Sequence, residues 1–249
     1  MNDKTIIVMP ARNAEATVEK TVRDLPDGAC DEIILVDDCS TDRTVEIAER
    51  LGLTVIRHTE NRGYGANQKT CLDAALAHGA DYVVMIHPDY QYDPRLVPYV
   101  VGFLRLGICD VVLGNRIRTR RQAIGCGMPP VKYVANRALT IIENTLLGQN
   151  LGEWHTGYRA YTRKVVLALP YHRNSDDFAF DSQFLAQAVH FGFEIGDVPV
   201  PCRYMAEASS INLRRSTQYG LETLWVVARY WLHRLRLVRC DLFEPKAPS

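Results

Sequence analysis

A chain of 249 residues, 47% of them apolar, holds enough hydrophobic material for one large α/β domain or two small ones. Its 29 acidic and 29 basic residues cancel, so bulk charge gives no reason to expect nucleic acid as a partner, and any electrostatic argument has to be local. Seven cysteines without a C-x-x-C pair fit reduced thiols in a cytosolic protein better than a disulfide framework or a zinc knuckle, and the first apolar run, 6–9, is too short for a signal sequence or a membrane span.

The elements alternate from the start. A strand predicted over 5–9 is followed by Pro10, Arg12 and Asn13, and a helix over 14–25 leads to a second strand, 32–36, that ends in Asp37 and Asp38. Ser40, Thr41 or Asp42 can cap the next helix, 44–51. A third strand, 53–57, runs into His58 and Arg62, and a helix over 67–78 ends at Gly79. The fourth strand, 82–86, runs into His87, Asp89, Gln91 and Asp93; a helix over 96–106 ends at Gly107, and a fifth strand, 111–113, leads to Asn115 and Arg116. Short β-branched runs alternating with amphipathic helices predict an α/β fold with a mostly parallel sheet, and near-continuous apolar strands predict helices on both of its faces.

Ligands of such sheets collect beyond the carboxyl ends of the strands, and here all five ends are polar. Asp37 and Asp38 repel each other unless something satisfies them, either a turn with a capped helix or the hydroxyls and base of a nucleotide. The first turn has no glycine where G-x-G-x-x-G would stand, and no G-K-[ST] occurs, which excludes a Rossmann dehydrogenase and a P-loop enzyme. In an extended segment alternate residues point the same way, so His87, Asp89 and Gln91 can face the crevice together. Mg²⁺ or Mn²⁺ needs only one or two protein carboxylates when phosphate oxygens and water supply the rest, so this set predicts a metal bound with a nucleotide diphosphate, offsetting charge on the leaving phosphate. Asp93 before Pro94 reads as a helix cap.

Beyond the fifth strand, 111–142 contains no acid but holds Arg116, Arg118, Arg120, Arg121, Lys132 and Arg137 among glycines and prolines, a local charge of about plus six. It reads either as an ordinary basic loop or as a mobile one that receives an anion, the acceptor's phosphate or an anionic membrane surface. The segment 175–181 reads as a helix start on which Asp177 and Asp181 share a face; the helix dipole explains acids there, while Asp181 could also take the proton of an acceptor hydroxyl. After Ser216 a long amphipathic helix is predicted, with Leu221, Leu224, Trp225 and Ala228 at helical spacing. No run of about 18 uncharged apolar residues exists, so this helix either packs on the domain or lies at a membrane interface.

The ordered set P-A-R-N-A-E, V-D-D-C-S-T-D-R-T, N-R-G-Y-G-A-N and H-P-D-Y-Q-Y-D-P resembles the family 2 glycosyltransferases of GT-A fold, nearest to their dolichyl-phosphate mannose synthase-like branch, from Thr5 to about Tyr204. That resemblance implies an inverting transfer from a nucleotide sugar, UDP- or GDP-linked, with Mg²⁺ or Mn²⁺ held by a D-x-D-type motif. Here His87 replaces the first acid, leaving Asp89 and Gln91 as the metal-binding part. It further implies that Pro10, Arg12, Asn13, Asp37 and Asp38 line the nucleotide pocket. Arg62 and Lys69 bracket a bare helix start that could help hold phosphate, and the resemblance implies that Arg203 puts a cation on the donor diphosphate. The acceptor, a polyprenyl phosphate, another lipid or a small molecule, would meet Arg116, Lys132 and Arg137, and Thr156 and Gly157 in H-T-G-Y-R-A-Y would help shape its pocket. The expected layout is a GT-A domain over 1–212 and a helical extension over 213–249. The expected location is cytoplasmic, with peripheral contact at the inner face of the membrane. Two rivals stand beside this reading: a non-catalytic nucleotide-sugar-binding module, and a nucleotidyltransferase on a similar sheet, which should show a basic glycine-rich loop after strand one.

Overall fold

The computed structural model describes residues 3–117, 119–125, 127–201, 203 and 213–246. In chain order the elements are β1 (Thr5–Ala11), α1 (Val18–Arg23), β2 (Glu32–Asp37), α2 (Thr44–Arg50), β3 (Thr54–Arg57), α3 (Tyr64–Ala77), β4 (Tyr82–Met85), α4 (Val97–Arg105) and β5 (Val111–Asn115). They continue with α5 (Arg120–Gly125), α6 (Pro130–Leu147), β6 (Arg159–Thr162), α7 (Arg163–Ala168), α8 (Ala179–His190), β7 (Ile195–Pro199) and α9 (Leu213–Arg234). The seven strands form one sheet in the order β3-β2-β1-β4-β6-β5-β7. All pairings are parallel except those of β6, which lies antiparallel between β4 and β5.

Strand periodicity divides the core in two. Ile6, Val8, Ile34, Val36, Val83 and Met85 face the layer that holds α3, α8 and α9. Their neighbours Ile7, Met9, Leu35, Val84 and Ile86 face the layer of α1 and α4. Every β1 residue is buried, which explains the unbroken apolar run TIIVMPA: a strand covered on both faces has no polar side. Asp42 is the residue that opens α2, its Oδ1 accepting from Thr44 N–H (3.0 Å) and from Thr44 Oγ1 (2.6 Å). Asp93 caps the short 3₁₀ turn Pro94–Leu96 as expected, accepting from Arg95 N–H at 3.1 Å.

Three local expectations are corrected. The first helix is shorter than 14–25. The basic segment after β5 is mostly helical: α6 begins with Pro130 in its first turn and ends at Gly148 in the left-handed region (φ 68°). The third correction is β6, a strand that interrupts the parallel order; only Ala160 and Tyr161 between Arg159 and Thr162 give it apolar character. The expected 1–212 boundary and Arg118 lie outside the described residues. On its described side, α9 packs against α6 and α8.

Candidate active site

The carboxyl edge of the parallel strands is where the chain departs from relaxed geometry. Asn13 after β1 (φ 51°), Cys39 after β2 (φ 61°) and Tyr90 after β4 (φ 57°) are three of the four non-glycine residues with left-handed backbone among the described residues. Such residues cluster where a binding surface over-determines the chain. At Tyr90 the strain shapes a turn in which Asp89 Oδ1 accepts the N–H of Gln91 (3.0 Å).

Asp89 and His87 are both half-buried beside this turn. Burial pushes the Asp89 carboxyl above the ordinary carboxylate range, against the pull of His87, and burial also lowers the His87 imidazole below its usual 6.5, against the pull of Asp89 and Asp181. Burial thus disfavours the charged form of both groups, and a cation bound beside them would favour the ionised carboxyl and the neutral imidazole. With the Gln91 amide, this donor set fits a divalent ion that takes its remaining oxygens from a diphosphate and water. Among the described residues no group of three or more His, Cys, Asp or Glu could hold a metal alone.

His87 is held in place from two sides. Its ring stacks on Tyr64 (centroids 5.6 Å apart, planes 5° apart), with Nε2 3.4 Å from Tyr64 Oη. Tyr64 Oη donates to Asp181 Oδ2 (3.0 Å), while Gln68 Nε2 (2.8 Å) and Arg159 Nη1 (2.6 Å) donate to Asp181 Oδ1. Burial works against the charge of Arg159, 1% exposed, but Asp181 and the nearby tyrosines outweigh it and hold the guanidinium protonated. On the other side, a Cβ at Gly157 would lie 2.5 Å from His87 Cδ2, so only glycine fits there without moving the imidazole. Gly157→Ala is expected to lower transfer roughly tenfold, at an overpacking cost of about 1–3 kcal/mol. Steady-state kinetics with a melting curve would check this; parental kinetics would show that the ring has room.

The remaining strand ends complete the cleft. Asp37 Oδ2 accepts Ser40 N–H (3.0 Å), but its Oδ1 is buried with no hydrogen-bond partner among the described residues. An acceptor left so costs about 1–3 kcal/mol until a donor reaches it. Arg203 donates its N–H to Gln91 O (2.9 Å); its guanidinium lies 4.6 Å over the Tyr90 ring and 3.8 Å from Asp93 Oδ2, with Nη1 unpartnered among the described residues. Pro10 is buried in β1, whereas Arg12 and Asn13 are exposed, and Asn13 Oδ1 accepts Thr41 N–H (2.9 Å).

The model of the family described as Glycosyl transferase family 2 matches residues 6–168. The chain belongs to that family. A UDP-N-acetylglucosamine–dolichyl-phosphate N-acetylglucosaminyltransferase of Methanococcus voltae is 28% identical, over 89% of this chain and 96% of its own length. A dolichyl-phosphate hexose transferase of Haloferax volcanii is 29% identical, over 84% and 87%. Among solved structures, glucosyl-3-phosphoglycerate synthase from Mycobacterium tuberculosis in complex with UDP superposes with a TM-score of 0.72 at 22% identity, over 92% of this chain and 80% of that one. The same synthase with Mn²⁺, UDP and phosphoglyceric acid gives 0.70 at 20% identity, over 92% and 78%. The fold is GT-A, as the sequence motifs imply. The protein is a glycosyltransferase, which sets aside the non-catalytic module and the nucleotidyltransferase.

Several residues of this glycosyltransferase have duties other than those the sequence suggested. Asp38 accepts from His58 Nδ1 (2.8 Å), Arg62 N–H (2.8 Å) and Gly63 N–H (3.1 Å), so its carboxylate fastens the β3–α3 loop to the sheet. The start of α3 is not bare: the N–H groups of Gly65 and Ala66 donate to Asp176 O (2.8 and 3.2 Å). Lys69 Nζ is turned away to Asn174 O (2.6 Å) and Asp176 Oδ1 (2.7 Å), while the Arg62 side chain is exposed. Arg116 is locked on the fully buried Glu153 and on His155 O, and Arg137 donates to Gly152 O (2.6 Å). Both cations brace the loop before β6; Lys132 is half-buried on α6. Thr156 is buried, with its carbonyl accepting from Arg159 Nε (2.7 Å). Both oxygens of Asp181 are taken by three donors, so the geometry makes it the counter-ion of Arg159 rather than an open proton acceptor.

Sequence reasoning missed Tyr64, Gln68, Arg159 and Glu153. Glu153 could have been found: after a stretch of basic residues with no acid, Glu143 and Glu153 are the next acids available to balance it.

The lowered His87 value carries a sign. As pH falls through 6.5 the unfolded chain takes up its proton before the folded one does, so stability drops with acidity in that window. Melting temperatures of the parent should fall more steeply between about pH 7 and pH 5 than those of His87→Gln. Equal slopes would contradict the buried neutral imidazole.

Proposed function

We propose that this glycosyltransferase moves a sugar, with inversion, from a UDP- or GDP-linked donor to a lipid phosphate or another small acceptor. The observation that carries the reading is the Asp89 turn: a half-buried carboxyl raised by burial, beside an imidazole lowered by burial, at the strand edge where such sheets bind ligands. Asp89, with His87 and Gln91, would hold Mg²⁺ or Mn²⁺. When bound, such an ion supplies charge neutralisation for the departing nucleoside diphosphate. Arg203 stands at the same turn with an unpartnered nitrogen and would pair with a phosphate oxygen. Asp37 Oδ1 would accept an N–H of the base or a ribose hydroxyl.

A phosphate acceptor is already ionised at neutral pH and needs no residue to deprotonate it. The full engagement of Asp181 agrees with such an acceptor. The Methanococcus and Haloferax relatives, named as dolichyl-phosphate transferases, support a polyprenyl phosphate, and the Mycobacterium synthase structures support UDP with a divalent ion. Inversion follows if the acceptor attacks opposite the leaving diphosphate. The proposed setting is the inner face of a cytoplasmic membrane, where nucleotide sugar and lipid phosphate would meet.

Thermal melting with UDP-, GDP- and dTDP-sugars, each with and without Mn²⁺, tests the donor, because a ligand at 100 times its Kd adds about 2.7 kcal/mol to stability. Transfer to a polyprenyl phosphate and to phosphoglycerate, measured in parallel, tests the acceptor. Turnover with phosphoglycerate alone would overturn the lipid reading.

A further inference from the structure

Two neighbouring helices carry apolar stripes left uncovered by the described residues. On α6 the inward face is Asn136, Thr140, Glu143 and Leu147; the opposite face shows Val131, Val134 and Ile141, 70%, 63% and 57% exposed. On α9 Thr223, Val226, Val227 and Tyr230 are buried, while Leu221, Leu224 and Trp225 are 64%, 37% and 58% exposed. The helices lie side by side: a Cβ at Gly220 would be 3.6 Å from Leu139 Cδ1, and Trp231 Nε1 donates to Leu146 O (2.9 Å). At 100° per residue both stripes point away from the core, and that of α9 leans toward α6. Leu235, Leu237 and Val238 extend the patch beyond α9, each more than half exposed. Scattered surface leucines need no explanation, but exposed aliphatic and tryptophan side chains on the outward faces of two adjoining helices are the kind of surface that marks an interaction site.

Arginine outnumbers acid along the margin of the patch, although Glu244 pairs with Arg239 (3.1 Å). Arg234, Arg236 and Arg239 alternate with the exposed aliphatics at the end of α9, and Arg229 flanks the helix. Glu222 is the one acid on α9, and Glu143, the one acid on α6, is buried. Arg236 is held at φ 58°, where glycine would be relaxed, so an exposed cationic side chain is kept against backbone preference. A second copy on this face would set Arg234 and Arg236, which have no ion pair among the described residues, against the same arginines of its partner. An anionic bilayer accepts both the aliphatic and tryptophan side chains and the arginines.

We propose that the outward face of α6 and α9, with the 235–239 segment, is a docking surface for an anionic phospholipid bilayer. Because α6 follows closely on Arg116 at the β5 end, docking would bring the cleft edge to the membrane. The use of the surface rests on the lipid-phosphate reading above; its chemistry does not.

Sedimentation of the full chain with vesicles of phosphatidylcholine, or of phosphatidylcholine with phosphatidylglycerol, tests it. The expected result is binding to the anionic vesicles, weakened by salt, and roughly tenfold weaker for the Trp225→Glu/Ile141→Glu double variant. That variant should keep the parental melting temperature and the parental turnover of a short, water-soluble prenyl phosphate. Arg236→Glu should lose the salt-sensitive part of binding. Absence of vesicle binding by the parent, or a parental dimer that the double variant makes monomeric without any vesicle binding, overturns the proposal. Short-chain turnover keeps the two readings apart: turnover without vesicle binding removes only the docking surface, and vesicle binding without turnover of any prenyl phosphate removes only the lipid acceptor.

Discussion

Asp89→Asn is expected to lower transfer by roughly 10²–10³-fold while leaving the ligand-free protein as stable as the parent or more so. Asparagine keeps the Oδ1 that accepts the Gln91 N–H, so the turn around Tyr90 survives. What disappears is the charge. A carboxyl raised by burial binds its proton more tightly when folded than when unfolded, so its ionised form opposes folding above the ordinary value near 3.8. Removing that charge relieves the folded state at neutral pH and takes away the carboxylate that, on the proposed function, would hold the cation. A residue with a purely structural role would behave the opposite way, losing stability along with activity. Kinetics and thermal melting on one preparation distinguish the two.

The largest stability effect is expected at Asp181. Asp181→Ala strips the counter-ion from Arg159, only 1% exposed, and frees Tyr64 and Gln68 at the same moment. Breaking a buried pair from one side typically costs about 3–5 kcal/mol, which for a chain of this size corresponds to a melting temperature lower by roughly 6–20 °C. The double variant Asp181→Ala/Arg159→Met should recover much of that loss, because the stranded guanidinium is what makes the single variant expensive. Denaturant or thermal unfolding of the three variants measures the coupling. If Asp181→Ala retains parental stability but abolishes turnover, Asp181 acts on the acceptor proton and not as the anchor of Arg159.

The sheet was legible in the sequence wherever a strand is covered on both faces. β1, β2, β4 and β5 are apolar runs ended by polar residues, and their order along the chain is enough to predict parallel crossovers. β6 was not legible, because Arg159 belongs to a buried ion pair with an acid 22 positions later, and local pattern reads an arginine as surface. α6 was obscured by Gly125, Gly127, Pro129 and Pro130, which suggest a loop. Pro130 at the start and Gly148 at the end are in fact the punctuation of a helix.

The cleft shows the same division. His87, Asp89 and Gln91 follow a strand end directly, which is what made them legible; the extended alternation expected there is replaced by a turn, with Tyr90 at φ 57° and the Gln91 N–H donated to Asp89 Oδ1. The partners of Arg116, Arg137 and Lys69 were not legible, because sequence gives the location of a cation but not the carbonyl or carboxylate that claims it. Glu153, Gly152 and the 174–176 loop made those claims from 15 to 107 positions away.

The proposed function stands on Asp89 anchoring a cation on the diphosphate of a sugar nucleotide. Calorimetric titration of UDP and GDP into the parent and Asp89→Asn, with and without Mn²⁺, addresses it directly. Mn²⁺ is expected to tighten binding of at least one nucleotide to the parent and to have no such effect on the variant. Equal affinities for parent and variant, with the same response to Mn²⁺, would contradict it.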